Sequence, residues 1–170
     1  MNNPLSLRIT KPGDAPELMN IFSDPEVVRY TNFRQFNDIG SLNTFLDRFL
    51  SICAGEPLQY GPYSIRLDNK LIGLCGLQQK EPALGTAELW YILGKAFWGK
   101  GLAKQAVEWL IKESSSNEKL RSIYAEAVSA NQPSWRILEK TGFIQTGELK
   151  NGFQKGVIIE DLRSYAYKVR

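Results

Sequence analysis

The 170-residue sequence has no histidine and only two cysteines. The missing imidazole excludes Ser-His-Asp and Cys-His nucleophile pairs. Two cysteines without histidine cannot close a structural zinc site, which takes four nitrogen or sulfur ligands, so no metal is expected. Cys53 and Cys75 are far apart and form no CxxC pair; they read as reduced, core-filling residues of a cytosolic protein. No apolar run reaches the roughly 18 residues that a spanning helix needs. The opening Met1-Asn2-Asn3-Pro4-Leu5-Ser6 lacks the basic and apolar regions of a signal peptide. Charge of one sign is also scarce. With 21 Lys and Arg against 18 Asp and Glu, the net charge is only +3, far from the concentrated basic stripe of a nucleic-acid binder. These absences predict a cytoplasmic protein with neither a membrane nor a nucleic acid as direct partner.

What is present suits one folded domain over 1–170, with 43% hydrophobic and 23% charged residues and no repeat or linker. Leu5, Leu7 and Ile9 alternate with polar residues as in a strand. Asp14-Ala15-Pro16-Glu17 reads as a helix start with a capping box, and Asp24-Pro25-Glu26 restarts a second piece. Leu42, Phe45, Leu46, Phe49 and Leu50 have helical spacing, with a stop near Gly55-Glu56-Pro57. Tyr60 to Leu67, the Asp68-Asn69 turn, and Leu71 to Leu77 read as a hairpin. Leu84 to Leu93 is another strand, apolar on both faces at its end and therefore central. Leu102, Ala103, Ala106, Val107, Leu110 and Ile111 form a helical stripe. Ser122 to Val128 is a strand, Asn131-Gln132-Pro133-Ser134 opens a helix that Gly142 stops, and 143–149 and 157–169 are two last strands. The order predicts a mixed α/β domain, not a doubly wound parallel sheet.

The most informative stretch is Tyr91 to Ala103, where a buried strand meets a glycine-containing loop and then a helix. Glycines let a ligand approach the backbone, and the first N–H groups of the helix point outward with the positive end of its dipole. This is an anion site. Gly94-x4-Gly99-Lys100 begins like a P-loop, but Gly101 stands where Ser or Thr must hold Mg²⁺. A GxGxxG fingerprint starting at Gly99 fails at Lys104, and the strand order is wrong for it.

Trp98-Gly99-Lys100-Gly101-Leu102-Ala103 instead resembles the Q/R-x-x-G-x-G/A motif of the GNAT superfamily of acyl-coenzyme A-dependent N-acetyltransferases, in the Trp-Gly-x-Gly-x-Ala form of its RimJ/RimL-type branch. Ala87-Glu88-Leu89 ahead of the loop, Asn131-x-x-Ser134, and Glu139-Lys140-Thr141-Gly142-Phe143 resemble further motifs of that branch, as does the closing Asp161-x-x-x-Tyr165. The resemblance covers nearly the whole chain. It implies a single GNAT domain: a central, mostly antiparallel twisted sheet of about six or seven strands, splayed in the middle and flanked by about four helices.

It also implies roles. Acetyl-CoA would be the co-substrate, its pyrophosphate held by N–H groups of Trp98, Gly99, Lys100, Gly101, Leu102 and Ala103, with Asn131 nearby. Lys95, Lys100 and Lys104 are either point charges for it or ordinary solvated lysines. Ile92 and Leu93 would bury their side chains while their backbone pairs with the pantetheine arm like an added strand, N–H groups near Leu93 receiving the oxyanion. Glu88 is either a strand-end carboxylate or the general base that deprotonates the amine. Ser134 is either a first-turn residue or the acid that returns a proton to the thiolate. Leu138 stands where many GNAT enzymes place a Tyr acid. Tyr30, Phe33, Phe36, Trp90 and Tyr91 are candidates for the acceptor cleft or for core.

The expected activity is acetyl transfer from acetyl-CoA to a primary amine, whether a protein N-terminus such as that of a ribosomal protein or a small amine, by a monomer or homodimer. The rival reading is a non-catalytic acyl-CoA binding module. Acceptor choice is expected in the 24–38 and 79–85 loops.

Overall fold

The computed structural model describes residues 5–54 and 59–169. Chain order is β1 (Ser6–Ile9), α1 (Ala15–Phe22), α2 (Pro25–Val28), α3 (Ile39–Cys53), β2 (Tyr60–Leu67), β3 (Lys70–Glu81), β4 (Thr86–Leu93), α4 (Leu102–Ser114), β5 (Ser122–Val128), α5 (Gln132–Lys140), β6 (Ile144–Lys155) and β7 (Ile158–Lys168). The strands form one sheet in the order β1-β2-β3-β4-β5-β7-β6. Every neighbouring pair is antiparallel except β4 with β5. That parallel ladder runs from Thr86↔Ser122 to Leu89↔Ala125 and stops. Past it, β4 stays paired with β3 as far as Gly73↔Leu93, and β5 stays with β7 as far as Val128↔Leu162. The sheet therefore opens in its middle, as the sequence resemblance implied.

Side-chain alternation divides the core between the two faces. Leu18, Phe22, Leu42 and Leu46 of α1 and α3 bury against Leu71, Leu74 and Ile92. On the other face Leu102, Ala106, Val107 and Leu110 of α4 pack on Ile72, Leu77, Leu89 and Leu93, joined by Leu138 of α5. The predicted stripe on α4 is buried apart from Ile111, which packs only partly. Asp68 and Asn69 both have positive φ, 51° and 61°, the turn geometry that joins β2 tightly to β3. The helix count exceeds the expected four by the single turn α2.

Several boundaries differ from expectation. Residues 82–84 form a 3₁₀ turn, so β4 begins at Thr86 rather than Leu84; the proline at its start cannot donate to a ladder. Strand β6 is longer than read, since it runs on to Lys155, whereas β7 is one residue shorter at each end. Ile9, expected inward, is 54% exposed on an edge strand. The stop at Gly55-Glu56-Pro57 and the segment Met1 to Pro4 lie outside the described residues.

The capping box at Asp14 and Glu17 does not form, since Asp14 makes no side-chain cap bond to α1. Buried at 4% exposure, Asp14 instead accepts from both Arg8 guanidinium nitrogens, from the Lys11 N–H at 2.9 Å and from Ser64 Oγ at 2.9 Å. Glu17 turns to the Leu71 N–H at 2.8 Å and to Arg66 at 3.0 Å. A carboxylate taken out of water needs a full set of donors, which outweighs one cap bond. The network fastens α1 to β1, β2 and β3.

Burial acts to raise the Asp14 pKa, but the bonds from Arg8, Lys11 and Ser64 more than offset it, and the carboxyl titrates below its ordinary value. A group with a depressed folded-state pKa contributes stability above its unfolded pKa and loses it as pH falls through the folded one. Asp14→Asn should cost about 2–3 kcal/mol near pH 7. The gap from the parent protein should close as pH drops below about 4, as urea titrations on both sides of that value would show.

Candidate active site

The gap between β4 and β5 leads into a cleft of about 1270 Å³ that passes from one sheet face to the other. Its walls carry Glu88, Ile92, Leu93, Trp98, Gly99, Gly101, Leu102, Ala103, Asn131 and Ser134. Thus the structure brings together nearly all the residues singled out from the sequence. Lys100 does not line it; its ammonium sits 5.7 Å from the centre of the Phe97 ring.

On the α4 side, the chain leaves β4 through a 3₁₀ turn, Lys95–Phe97. The Trp98 N–H is bonded to Lys95 O at 3.2 Å, and its indole Nε1 donates to Leu93 O at 2.7 Å. Trp98 is thus a brace that ties the loop to the end of β4. Its backbone donor, expected to face an anion, is engaged; the open run starts one residue later. Gly99 and Gly101 have φ of 72° and 74°, and an added Cβ at either would meet nothing within 4 Å. Both glycines are needed for backbone conformation, not for room inside the protein. Gly101 is the N-cap of α4 and supplies no side chain to it. The first loop donor with a main-chain partner after Trp98 is Gln105, bonded to Gly101 O at 3.2 Å; the N–H groups of residues 99 to 104 have no main-chain acceptor among the described residues. A run of unpaired amides at a helix N-terminus fits a diphosphate.

The lysines are otherwise engaged. Lys95 pairs with Glu26 at 2.8 Å and Lys104 with Glu108 at 2.5 Å. Asn131, the N-cap of α5, makes no side-chain cap bond, which leaves its amide to the cleft.

Alternation along β4 sends neighbours to opposite faces. Leu89, Tyr91 and Leu93 point toward α4 and α5, while Glu88 shares the opposite side with Trp90 and Ile92. On the α5 side the Tyr91 hydroxyl lies 2.9 Å from Ser134 Oγ and 3.2 Å from Ser134 O. Burial pushes the Tyr91 phenol up to about 12, against a smaller lowering by the Ser134 bond; at neutral pH it is a neutral hydroxyl. The position opposite, Leu138, is fully buried. On the other side Glu88 Oε2 is 3.0 Å from Lys80 Nζ, and that ammonium stands 4.2 Å from the centre of the Tyr124 ring. Tyr124 donates to Glu126 at 2.5 Å. Burial and that carboxylate raise the Tyr124 pKa to about 12.

Of the aromatic candidates, Tyr30, Phe33, Trp90 and Tyr91 line the cleft, whereas Phe36 is core at 2% exposure. It packs beneath Phe22 and Phe45. Residues not singled out from the sequence complete the wall: Phe45 and Phe49 of α3, Arg29, Glu126 and Phe153. Phe33, Phe49 and Trp90 meet at ring-centroid distances of 5.6 to 6.0 Å. The half-buried positions of Phe45 and Phe49 on a helix already read as amphipathic were the available signal. For Tyr91 it was strand parity: a hydroxyl on a core-facing position must find a partner.

Comparison with known proteins agrees with this geometry. Residues 5–144 match the acetyltransferase (GNAT) domain family. An N-acetyltransferase of Bacillus licheniformis, p20, is 30% identical over 86% of this chain and 83% of its own. The ribosomal-protein-serine acetyltransferase of Escherichia coli is 29% identical over 61% of this chain and 58% of its own. In fold, the chain resembles a RimL ribosomal-protein acetyltransferase solved with coenzyme A, with a TM-score of 0.87 and 18% identity over 99% of this chain and 98% of that one. It also resembles the spermidine N-acetyltransferase of Vibrio cholerae solved with coenzyme A and spermine, with a TM-score of 0.83 and 20% identity over 98% and 96%. Since the family match runs through the strand, loop and helix that shape the cleft, the chain belongs to the GNAT acetyltransferases, and its chemistry is acetyl-CoA-dependent transfer to nitrogen.

Proposed function

We propose that the chain acetylates a primary amine by direct attack on acetyl-CoA, with the two substrates entering from opposite faces of the sheet. The observation that carries this reading is the end of the β4–β5 ladder at Leu89↔Ala125. It leaves one edge of residues 90 to 93 without a partner strand, capped only at Leu93 O by the Trp98 indole, beside a loop of unpaired amides; these are the two partners that pantetheine and a pyrophosphate need. The donor side is residues 99 to 104 with Asn131. The acceptor side is Glu88 with Arg29, Phe33, Phe49 and Trp90. The acceptor class is that of the relatives: a serine-bearing ribosomal-protein N-terminus or a small amine. The reading treats 1–170 as one domain, consistent with a sheet that runs from Ser6 to Lys168. Two buried free cysteines suit a reducing cytoplasm.

In this mechanism Glu88 takes the proton that the ammonium must lose before its nitrogen can attack the thioester carbon. Lys80 orients the carboxylate. Strand-edge N–H groups near Leu93 receive the charge that develops on oxygen. As the C–S bond breaks, Ser134 gives a proton to the leaving sulfur. Tyr91, fixed on Ser134 Oγ, holds that hydroxyl toward the gap.

Free thiol release from acetyl-CoA, followed with serine-initiated peptides, spermidine and an aminoglycoside, tests the reading; no release with any amine rejects it. Glu88→Gln should lower kcat/KM about 100-fold and change the shape of its pH profile. A profile unchanged in shape would pass the base role to another group on that face, such as Glu126. Ser134→Ala should lower kcat about 10–100-fold, and Tyr91→Phe by less, with the double variant no worse than Ser134→Ala alone. Gly101→Ala forces a side chain onto a φ of 74°. It should cost about 1 kcal/mol of stability and weaken coenzyme A binding about tenfold by calorimetry.

A further inference from the structure

The segment from Arg29 to Asp38 carries Arg29, Tyr30 and Phe33 into the cleft, yet it contains no regular helix or strand. Its carbonyls therefore lack the partners that secondary structure supplies. Two of them, with the carbonyl of Val28 at the end of α2, converge on one atom more than 120 residues away. The Lys155 ammonium, near the end of β6, donates to Val28 O at 2.7 Å, Thr31 O at 3.0 Å and Phe33 O at 2.5 Å. An ammonium has three N–H bonds, so its donor capacity is filled by this one segment. No ion pair among the described residues involves Lys155. A half-buried cation held only by carbonyl dipoles is an expensive way to fill a gap, since removing it from water is repaid solely through those bonds.

The consequences reach the reacting centre. Phe33, the last residue clamped, packs its ring 5.6 Å from Trp90, and Trp90 follows the final β4–β5 rung. Tyr30 meets Phe153, two residues before Lys155, at 6.5 Å. The wall on the Glu88 side is thus built from two distant parts of the chain, joined by hydrogen bonds at one ammonium and by the Tyr30–Phe153 ring contact.

We propose that Lys155 is the positioning residue for the amine acceptor, its ammonium holding the 28–33 segment as the surface on which the acceptor rests while touching neither substrate. This rests on the acetyltransferase reading of the cleft. Lysine is required over arginine: a planar guanidinium cannot converge three N–H groups on three carbonyls from one point.

Lys155→Met and Lys155→Arg decide it. Hydrogen exchange by mass spectrometry should show amides of residues 28 to 36 opening about tenfold faster in the Met variant, with α4 and β4 unchanged. Calorimetric affinity for coenzyme A should stay within about twofold, since the 99–104 loop is elsewhere. With the amine of the panel that the parent protein acetylates fastest, KM for the amine should rise about tenfold while kcat holds within about threefold, and Lys155→Arg should fall between. Unchanged exchange, or an amine KM that does not move although exchange accelerates, overturns the proposal and leaves the acetyltransferase mechanism standing. A parallel loss of coenzyme affinity also overturns it, because the residue is then merely structural. A parent protein that consumes no thioester with any amine removes that mechanism and the acceptor role with it.

Discussion

The rest of the structure depends on a missing interaction: after Leu89 and Ala125, β4 and β5 stop exchanging hydrogen bonds. Main-chain groups turned away from water must find partners, and here, past Leu89, an edge in the middle of a seven-stranded sheet has no neighbouring strand among the described residues. Such an edge is tolerated where a ligand or water completes it. Everything around the gap keeps it open and keeps its edge straight. β3 holds β4 on its far side through to Leu93, β7 does the same for β5, and the Trp98 indole fastens the carbonyl at the very end of β4. In the proposed reading, an extended thiol-bearing arm with amides of its own would supply the missing strand.

The same geometry explains how one short strand serves two substrates. Successive side chains of β4 leave on opposite faces, so Glu88 and Tyr91 are close in sequence yet address different compartments. In the proposed mechanism the pleat would thereby separate proton removal from proton return. Glu88, with Lys80 and Tyr124, lies on the sheet face that carries the aromatic wall made by α3 and the 29–38 segment; Tyr91 lies on the other face, toward α4 and toward Ser134 on α5. Reacting atoms need meet only in the gap, where the sheet is one strand thick. Catalysis by positioning requires that neither side shift, and the buried Asp14 network and the Lys155 ammonium each tie helices or loops of the acceptor side to the sheet.

Element order was legible because each element carries its own period. The stripe on α4, the positive-φ turn at Asp68-Asn69 and the apolar end of β4 are local signals, and the local structure follows them. The glycine loop was also legible, since Gly99 and Gly101 adopt the positive φ that their presence suggests. What stayed hidden was long-range. Asp14 reads as a cap until Ser64, fifty residues on, appears beside it. Lys155, which falls between the two last strands as read from the sequence, gives no local sign of the three carbonyls of residues 28–33 that surround it. Tyr91 looked like one more aromatic because parity alone does not say that Ser134 will stand opposite. Phe36 and Phe33 differ by three residues in one loop, and only the packing of α3 against Phe22 decides which is core and which is wall.

The residues around the anion loop also show which force has to bind the diphosphate. Three lysines flank the motif, but Lys95 and Lys104 are matched by Glu26 and Glu108, and Lys100 rests on Phe97. Exposed pairs of this kind are worth at most about 1 kcal/mol, so a bound anion can draw those cations toward itself at little cost, yet they are not aimed at it beforehand. The main chain is. A glycine N-cap leaves to the ligand the amides that Ser or Asp would have satisfied, and the helix dipole points the same way. Recognition built on amides rather than lysines loses little to salt screening at close range and fixes the position of the anion, not just its presence. In the proposed mechanism, that fixed position would bring the thioester to the gap beside Leu93, within reach of an amine on the Glu88 side.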